Sequence, residues 1–431
     1  MRSALTLFAL LATAIAGRAD LHAYVKKADD SFRWEVKEKR PAPMGTAFIL
    51  ELTSQTWQGI AWEHQMLVYV PDGVKVGDTV FLWNEGGKAD PSKTLLAFDL
   101  ARRAKVPVAF LYGIPKQPLF EGKKEDALIS ETFVRYLKTE DEDWPLLFPM
   151  VKSLVRAMDV VQEFAKKEWK ADVKSFVVSG ASKRGWTTWL TAVADPRVKA
   201  IAPLVIDTLN MKAQMPHQIA SFGKPSDQIK DYTERGLVPI PKGGQAEKLW
   251  SMVDPWAYRE KLTMPKMIIN GTNDPYWAQD ALNLYWDDLT GDKWVLYVPN
   301  AGHNLEQKYE GGRKDRNRIL STLSAYMRSQ IAGKPMPKLK WEHGADGDKL
   351  SLTVTSDREP KAARLWVADA PTRDFREAKW TESPAKLEKG TVTGVAETPK
   401  AGFRTLFAEC EFEEDGLTYY LSTQLKMFQA R

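Results

Sequence analysis

Apolar runs of strand length alternate with stretches of helical spacing across residues 47–271. This alternation is typical of a mostly parallel β-sheet with helices on both faces, because its strands are buried on both sides. We expect the first two predicted strands to form an antiparallel hairpin, and apolar side chains at helical spacing over 147–164 predict a long amphipathic helix. The predicted strands are residues 47–52, 66–70, 79–83, 108–112, 175–179, 200–206, 266–270 and 294–298.

The segment 207–261 interrupts this alternation with several prolines and glycines, and the strand-like runs resume after Pro265. Long irregular insertions between strands are commonly lids or binding loops. We interpret residues 207–261 as a cap inserted into the α/β domain.

The last part of the chain has a different pattern. Beyond a helix predicted at 316–331, residues 333–337 (Gly-Lys-Pro-Met-Pro) are typical of a linker. Residues 350–354, 363–367 and 418–422 are short strand-like runs separated by turn residues. The pattern predicts an α/β domain over 20–335 and a small immunoglobulin-like β-sandwich over 336–431.

The first residues have the three-part build of a secretory signal. Met1 and Arg2 precede an apolar run at 5–15, and small residues follow up to Ala19. We predict that residues 1–19 are a signal peptide and that the mature protein is periplasmic or secreted from a bacterium. No later segment has the ~20 apolar residues of a membrane helix, so we expect no integral membrane segment after signal removal.

Charge and cysteine content limit the class of protein. The formal net charge of +5 is spread along 431 residues, which argues against a nucleic-acid partner. Cys410 is the only cysteine, and we interpret it as a small buried hydrophobic residue. No metal-ligand spacing or glycine-rich phosphate loop is present, so we expect no metal and no cofactor. The sequence does not indicate an oligomeric state.

Residues 176–186 predict a strand that passes through a tight turn into a helix, the context of a nucleophile elbow. Ser182 is the candidate nucleophile, and Gly180 leaves room for the backbone beneath it. The usual G-x-S-x-G pattern requires glycine at 184, where this chain has Arg184, with Gly185 next. On the motif alone, a serine that caps the following helix is an equal alternative.

Two later strands each end in a candidate partner for this serine. Asp274 follows the strand at 266–270, and His303 follows the strand at 294–298. The order Ser, Asp, His is that of α/β-hydrolases, and the carboxyl ends of parallel strands are where such sheets bind ligands. We predict His303 as general base and Asp274 as its orienting acid, with Asp207, which ends another strand, as the rival acid.

An acyl-transfer site also needs backbone donors for the oxyanion. The candidates are the amides of Lys183, Glu85 and Gly86, the last two in the loop after the strand at 79–83. An ordinary turn in this loop is an equal alternative. We expect the side chains of Lys183 and Arg184 to be solvated at the helix start, with contact to an anionic substrate group as the alternative.

Three of the sixteen tryptophans lie beside these motifs in the sequence, namely Trp83, Trp186 and Trp277. They are candidates to bind an acyl, aromatic or sugar group of a substrate. A position in the hydrophobic core is the alternative for each.

Six short motifs lie along the chain at residues 62–64 (Trp-Glu-His), 83–87, 180–186, 271–274, 301–303 and 373–376 (Arg-Asp-Phe-Arg). Together they resemble the PhoPQ-activated pathogenicity-related family of bacterial proteins, which are similar to α/β-hydrolases. The resemblance implies this fold, export and a hydrolase-like site, and it implies that the C-terminal sandwich belongs to the family architecture. The Gly-x-Ser-x-x-Gly turn also resembles that of glucuronoyl esterases over a few residues.

These observations favour a serine hydrolase that cleaves an ester or amide through an acyl-enzyme. An esterase is favoured over a peptidase, and the expected substrate is a small-molecule, peptide or glycan ester. The alternative is a non-catalytic protein on a hydrolase fold, whose sandwich binds envelope polysaccharide or another protein.

Overall fold

The structure is a computed structural model and describes residues 21–430. The predicted signal peptide, residues 1–19, lies outside the described residues. Among residues 21–430, no helix is both long enough and apolar enough to cross a membrane. The α-helices are α1 Leu21–Lys26, α2 Pro91–Ala104, α3 Glu125–Thr139, α4 Leu147–Trp169, α5 Lys183–Ala194, α6 Met211–Phe222, α7 Lys230–Thr233, α8 Gly244–Val253 and α9 Asn317–Ala332. The strands are β1 Arg33–Ala42, β2 Gly45–Trp57, β3 Ile60–Pro71, β4 Thr79–Asn84, β5 Val108–Leu111, β6 Ser175–Ala181, β7 Val198–Leu204, β8 Lys266–Gly271, β9 Lys293–Val298, β10 Gln307–Lys308, β11 Lys314–Asp315, β12 Leu339–Asp346, β13 Lys349–Ser356, β14 Ala362–Ala370, β15 Thr381–Pro384, β16 Lys386–Glu388, β17 Thr391–Glu397, β18 Phe403–Glu414, β19 Leu417–Ser422 and β20 Lys426–Gln429.

The centre of the molecule is a sheet with the strand order β1-β2-β3-β5-β4-β6-β7-β8-β9, in which β4 to β9 run parallel. Helices α4 and α5 pack on one face, and α2 and α9 pack on the other. In β4, Val80 and Leu82 join one apolar cluster, whereas Phe81 and Trp83 join the other. Burial on both faces explains why these strands are apolar throughout. The predicted α/β-hydrolase fold is confirmed.

Each strand predicted in the first 300 residues overlaps an observed one, and the predicted hairpin is the antiparallel pair β2 and β3. Strand β1 is not among the predicted strands. It pairs with β2 at the edge of the sheet, from Arg33 opposite Thr53 to Ala42 opposite Gly45, and its side chains are mostly charged and exposed. Charged edge strands discourage pairing with other chains, but they lack the apolar alternation by which strands are recognised.

The cap lies between β7 and β8, as predicted, and contains α6, α7 and α8. The Asp254 carboxylate ties its two ends together. It accepts hydrogen bonds from the amides of Asn210 and Met211 at 3.2 and 2.8 Å, and from the amide of Trp256 at 2.9 Å. Helices α7 and α8 also pack on α3, which the sequence analysis did not predict.

The C-terminal strands form two sheets packed face to face, which confirms the β-sandwich. One sheet has the order β12-β13-β17-β16, and the other has the order β19-β18-β14-β15 with β20 beside β18. The second sheet continues the central sheet, because Ser422 of β19 pairs antiparallel with Val295 of β9. The Tyr297 amide also donates to the Ser422 hydroxyl at 3.0 Å. Nothing in the sequence pattern predicts this continuity.

Cys410 lies on β18 in the apolar core between the two sandwich sheets. It is fully buried, as predicted. Burial raises the pKa of its thiol to about 12. The thiol is therefore an inert core group in the native state.

Candidate active site

Ser182 lies in the turn between β6 and α5 with φ 56° and ψ −129°. A positive φ is unfavourable for a residue with a Cβ, so the surrounding structure must hold this conformation. One such restraint is a hydrogen bond from the Ser182 amide to the carbonyl of Leu204, at 2.8 Å. The strained strand-to-helix turn is the geometry of a nucleophile elbow.

Two glycines make the turn possible. A Cβ at Gly180 would overlap the Asn84 side-chain nitrogen and lie 2.8 Å from the Arg184 carbonyl oxygen. A Cβ at Gly185 would lie 2.6 Å from the Ile206 Cγ2 and 3.0 Å from the Gly180 carbonyl oxygen. The close approach therefore falls at 185 rather than at 184, which explains how Arg184 can stand at the usual glycine position.

His303 and Asp274 are in direct contact, with Nδ1 of the imidazole 2.8 Å from a carboxylate oxygen. The other Asp274 oxygen accepts from the Tyr276 amide at 2.8 Å. The Tyr276 ring stacks on the imidazole at 4.1 Å between centroids. Among the described residues, Nε2 of His303 is buried without a hydrogen-bond partner. The contact with Asp274 thus orients the ring and leaves Nε2 to exchange a proton.

Asp207, the rival acid, belongs to a separate buried network. Its carboxylate accepts from the Asn270 side chain at 2.8 Å and from the Tyr285 hydroxyl. Burial raises the pKa of Asp207 to about 7, although both hydrogen bonds act in the opposite direction. The structure pairs the histidine with Asp274 and not with Asp207.

The expectation that Lys183 and Arg184 are solvated is wrong. Their side chains are 8% and 11% exposed, and both pair with acidic residues of α3. Lys183 Nζ lies 3.1 Å from Glu125 and 3.0 Å from Asp126. Arg184 donates to both Glu125 oxygens at 2.6 and 2.7 Å. Burial works against ionisation, but Arg184 and Lys183 still lower the pKa of Glu125 to about 2.

The three candidate oxyanion amides differ in availability. Lys183 is the first residue of α5, so its amide has no acceptor within the helix. The Glu85 amide donates to the Leu111 carbonyl at 2.8 Å as part of the sheet, so it is not the free donor we expected. The Gly86 amide donates to the Glu85 side chain at 2.9 Å, a bond that a change of rotamer releases. Lys183 and Gly86 remain the candidate donors.

A cavity of about 40 Å³ lies beside Ser182 under the cap. Trp186 and Trp277 line it, and both also belong to the buried apolar cluster of the core. Trp83 lies elsewhere. Its ring stacks on Phe110 at 5.7 Å, and its indole N–H donates to Glu85 at 3.1 Å. Trp83 is a core residue because it lies within the buried strand β4.

The sandwich reaches the loops that carry Asp274 and His303 through the bridging loop, residues 371–380 between β14 and β15. Asn273, next to Asp274, donates through its side chain to three carbonyls of this loop, and the shortest bond, to Ala378, is 2.7 Å. Asn300, in the loop that carries His303, exchanges two hydrogen bonds with the Trp380 backbone at 2.8 and 2.9 Å. The bridging loop thus holds both of these loops.

Sequence reasoning missed several residues around the candidate site. Tyr276 and Thr208 stand one or two positions from Asp274 and Asp207, so proximity in the sequence was a usable signal. Asp126 has no such signal, because α3 is brought to the site only by tertiary packing. Within residues 21–430, no group of three or more histidine, cysteine, aspartate or glutamate side chains is arranged to hold a metal ion.

Comparison with known proteins gives one family. The family model described as PhoPQ-activated pathogenicity-related protein matches residues 21–376, a span that ends inside the bridging loop. Autocrine proliferation repressor protein A of Dictyostelium discoideum is 33% identical over 430 residues, which cover 90% of this chain and 85% of that protein.

Solved structures show more distant similarity. Acetyl xylan esterase 1 from Thermoanaerobacterium sp. JW/SL YS485 has a TM-score of 0.48 and 15% identity, covering 68% of this chain and 90% of that one. An S-formylglutathione hydrolase from Agrobacterium tumefaciens has a TM-score of 0.43 and 13% identity, covering 69% and 98%. At these identities the similarity concerns the fold alone.

Proposed function

The chain belongs to the PhoPQ-activated pathogenicity-related family, and we propose that it is a serine hydrolase that cleaves carboxylic esters. Ser182, His303 and Asp274 are its triad. The observation that carries the proposal is the hydrogen bond from His303 to Asp274, with Nε2 left without a partner and Ser182 held in a strained elbow. All three residues follow the carboxyl ends of parallel strands of one sheet.

The mechanism follows from these roles. Ser182 Oγ attacks the carbonyl carbon while His303 Nε2 takes its proton, and the Lys183 and Gly86 amides donate to the oxyanion. When the intermediate collapses, the bond to the leaving alcohol breaks, and His303 returns the proton to the leaving oxygen. Water then attacks the acyl-enzyme by the same sequence of proton transfers, releasing the acid and restoring Ser182.

An ester is favoured over an amide because the cap covers part of the site. The cavity next to Ser182 is small and lies under the cap, with Trp250 and Ile229 in its wall. Such a site suits a compact ester of a small molecule or glycan better than a peptide main chain that extends on both sides of the scissile bond.

Covalent labelling with a fluorophosphonate probe tests the proposal without knowledge of the substrate. The native protein should label, and Ser182→Ala and His303→Ala should not. Ser251→Ala is the matched control, because Ser251 lies in the cap helix α8 and bonds only to the Lys248 carbonyl among the described contacts. Failure of the folded native protein to label would contradict the triad and favour the binding-protein alternative.

Export is part of the same proposal and rests on the sequence of residues 1–19. Expression with this leader should give a mature protein that begins at Asp20 in the periplasmic or culture fraction. N-terminal sequencing checks this, and a cytoplasmic chain that still begins at Met1 would contradict it.

A further inference from the structure

Tyr276 contacts both members of the pair formed by His303 and Asp274. Its amide donates to one carboxylate oxygen of Asp274 at 2.8 Å, and the imidazole bonds to the other oxygen. Its ring stacks on the imidazole, with 4.1 Å between the centroids and 30° between the planes. The residue also lies in the wall of the cavity beside Ser182. A single residue thus contacts the acid through its backbone and the base through its ring.

The stacked ring has its largest effect when the imidazole is charged. In the proposed reaction His303 takes the proton of Ser182, so the imidazole becomes a cation in the transition state. The face of a tyrosine ring attracts a cation within about 6 Å of its centre, and more strongly where water is excluded. The His303 side chain is only 24% exposed. The ring of Tyr276 can therefore stabilise the transition state more than the ground state, as catalysis requires.

Two polar residues of the cap hold the backbone at Tyr276. Gln218 of α6 donates through its side chain to the Tyr276 carbonyl at 2.7 Å. The Ser226 hydroxyl donates to the Pro275 carbonyl at 2.7 Å, and the Ser226 amide donates to the Gln218 side chain at 2.8 Å. Gln218 and Ser226 are both buried. These bonds fix the backbone that carries the stacked ring, so the position of the ring depends on the cap.

We propose that Tyr276 is a positioning residue, which holds the His303 imidazole against Asp274 and stabilises its charged form, and that the cap supports catalysis through Gln218. The cap then does more than cover the cavity, because it fixes the residue that orients the general base. This inference rests on the proposed function and adds a residue to its machinery.

Substitutions of the ring test the stacking. With the best p-nitrophenyl ester, Tyr276→Leu should lower kcat about tenfold, within the range that a desolvated contact between a ring and a cation provides. Tyr276→Phe keeps the ring and should retain kcat within about threefold. Equal losses in the two variants would assign the effect to the hydroxyl, and an unchanged kcat in Tyr276→Leu would assign no effect to the ring. Either result would overturn the proposal.

NMR of the protein with 13C-labelled histidine checks the stacking independently of activity. A ring stacked on an imidazole shifts the imidazole protons upfield. The His303 signal should therefore move downfield in Tyr276→Leu and keep its position in Tyr276→Phe. His303→Ala identifies this signal among those of the five histidines. A His303 signal that does not move in Tyr276→Leu would overturn the stacking, whatever kcat shows.

Gln218→Ala tests the contribution of the cap. It should lower kcat about threefold, the effect of roughly one net hydrogen bond, and leave KM unchanged because Gln218 does not line the cavity. Gln214→Ala is the matched control. Gln214 lies one turn earlier in α6, is equally buried, and donates to the Leu209 and Ala281 carbonyls at 3.1 Å each. It should lower Tm by a similar amount without lowering kcat, and equal losses of kcat would overturn the role of Gln218.

Failure of this inference and failure of the proposed function give different results. If the native protein neither cleaves esters nor labels with the fluorophosphonate, the proposed function is wrong and this inference is wrong with it. If the native protein is active and the Tyr276→Leu and Gln218→Ala variants match their controls, only this inference is wrong.

Discussion

At the residue scale, two aspartates with different hydrogen-bond partners lie close to each other near the ends of neighbouring strands. Asp274 contacts His303, whereas Asp207 bonds to Asn270 and Tyr285. Asp274→Asn should lower turnover by roughly 10⁴, by analogy with the serine proteases, because the imidazole loses its tautomer control. Asp207→Asn should change turnover less than tenfold. Kinetics on the best p-nitrophenyl ester checks both, and the opposite ranking would reverse the assignment of the acid.

The same buried Asp207 makes stability depend on pH. Burial raises its pKa from 3.8 in the unfolded reference to about 7, so the native state binds its proton more tightly than the unfolded chain. The free energy of unfolding should therefore fall as the pH rises from about 4 to about 7. Asp207→Asn removes this linkage, so its Tm relative to the native protein should increase between about pH 5 and about pH 8. A Tm difference independent of pH would show that Asp207 does not titrate in this way.

Among single residues, the sequence points to those whose position follows from a strand end. Ser182, Asp274 and His303 each follow an apolar run, and parallel strands bring such ends to one edge. The burial of Lys183 and Arg184 could not be predicted, because their partners lie on a helix more than fifty residues earlier in the chain. Local rules describe a helix start as solvated unless another element covers it.

At the scale of elements, the bridging loop contacts the loop of Asp274 through Asn273, for which we predict a positioning role. Asn273→Ala removes its side-chain hydrogen bonds to the loop carbonyls. We expect kcat to fall about tenfold with little change in KM, because each net hydrogen bond is worth roughly 1 kcal/mol and the lost bonds orient Asp274. Steady-state kinetics measures the split between kcat and KM.

Asn283→Ala is the matched control for this prediction. Asn283 also bonds to the sandwich, donating to the Leu425 carbonyl between β19 and β20 at 3.0 Å, but it does not adjoin the loops of Asp274 and His303. It should lower Tm by a similar amount and leave kcat unchanged. Equal losses of kcat in the two variants would mean that Asn273 has only a structural role.

The predictability of the elements depended on how their burial appears in the sequence. Strands β4 to β8 are buried almost completely, so continuous apolar runs revealed them. Strand β1 is charged because it is an exposed edge, and α3 carries its apolar residues on a face that the cap covers. Predicting β1 and α3 requires knowledge of the elements that pack against them.

At the scale of the whole molecule, the hydrolase part and the sandwich share one sheet and common apolar clusters. Trp366, Trp380 and Phe407 of the sandwich belong to the same cluster as α4 and α5 of the hydrolase part. The predicted linker packs against the rest of the protein. Met336 is buried, and the Pro337 carbonyl accepts a hydrogen bond from the Trp294 indole at 2.7 Å. Proline and glycine content alone predicted a linker, whereas the burial of Met336 and the pairing of β9 with β19 show a connection packed into the fold.

This continuity predicts a single cooperative thermal transition. Unfolding of the sandwich would expose the β9 edge and the apolar side chains that it covers, so neither part should melt alone. Differential scanning calorimetry should give one peak whose calorimetric and van't Hoff enthalpies agree. Two separate peaks, or a hydrolase part that keeps its labelling activity after the sandwich melts, would contradict the prediction.

The thiol of Cys410 is an intrinsic probe for the opening of the sandwich. It is shielded between two sheets and has a raised pKa, so an alkylating reagent can reach it only when those sheets separate. The native protein has no other cysteine to confuse the signal. The rate of alkylation, followed by mass spectrometry, therefore reports the rate and the free energy of local opening in this region, without any engineered label.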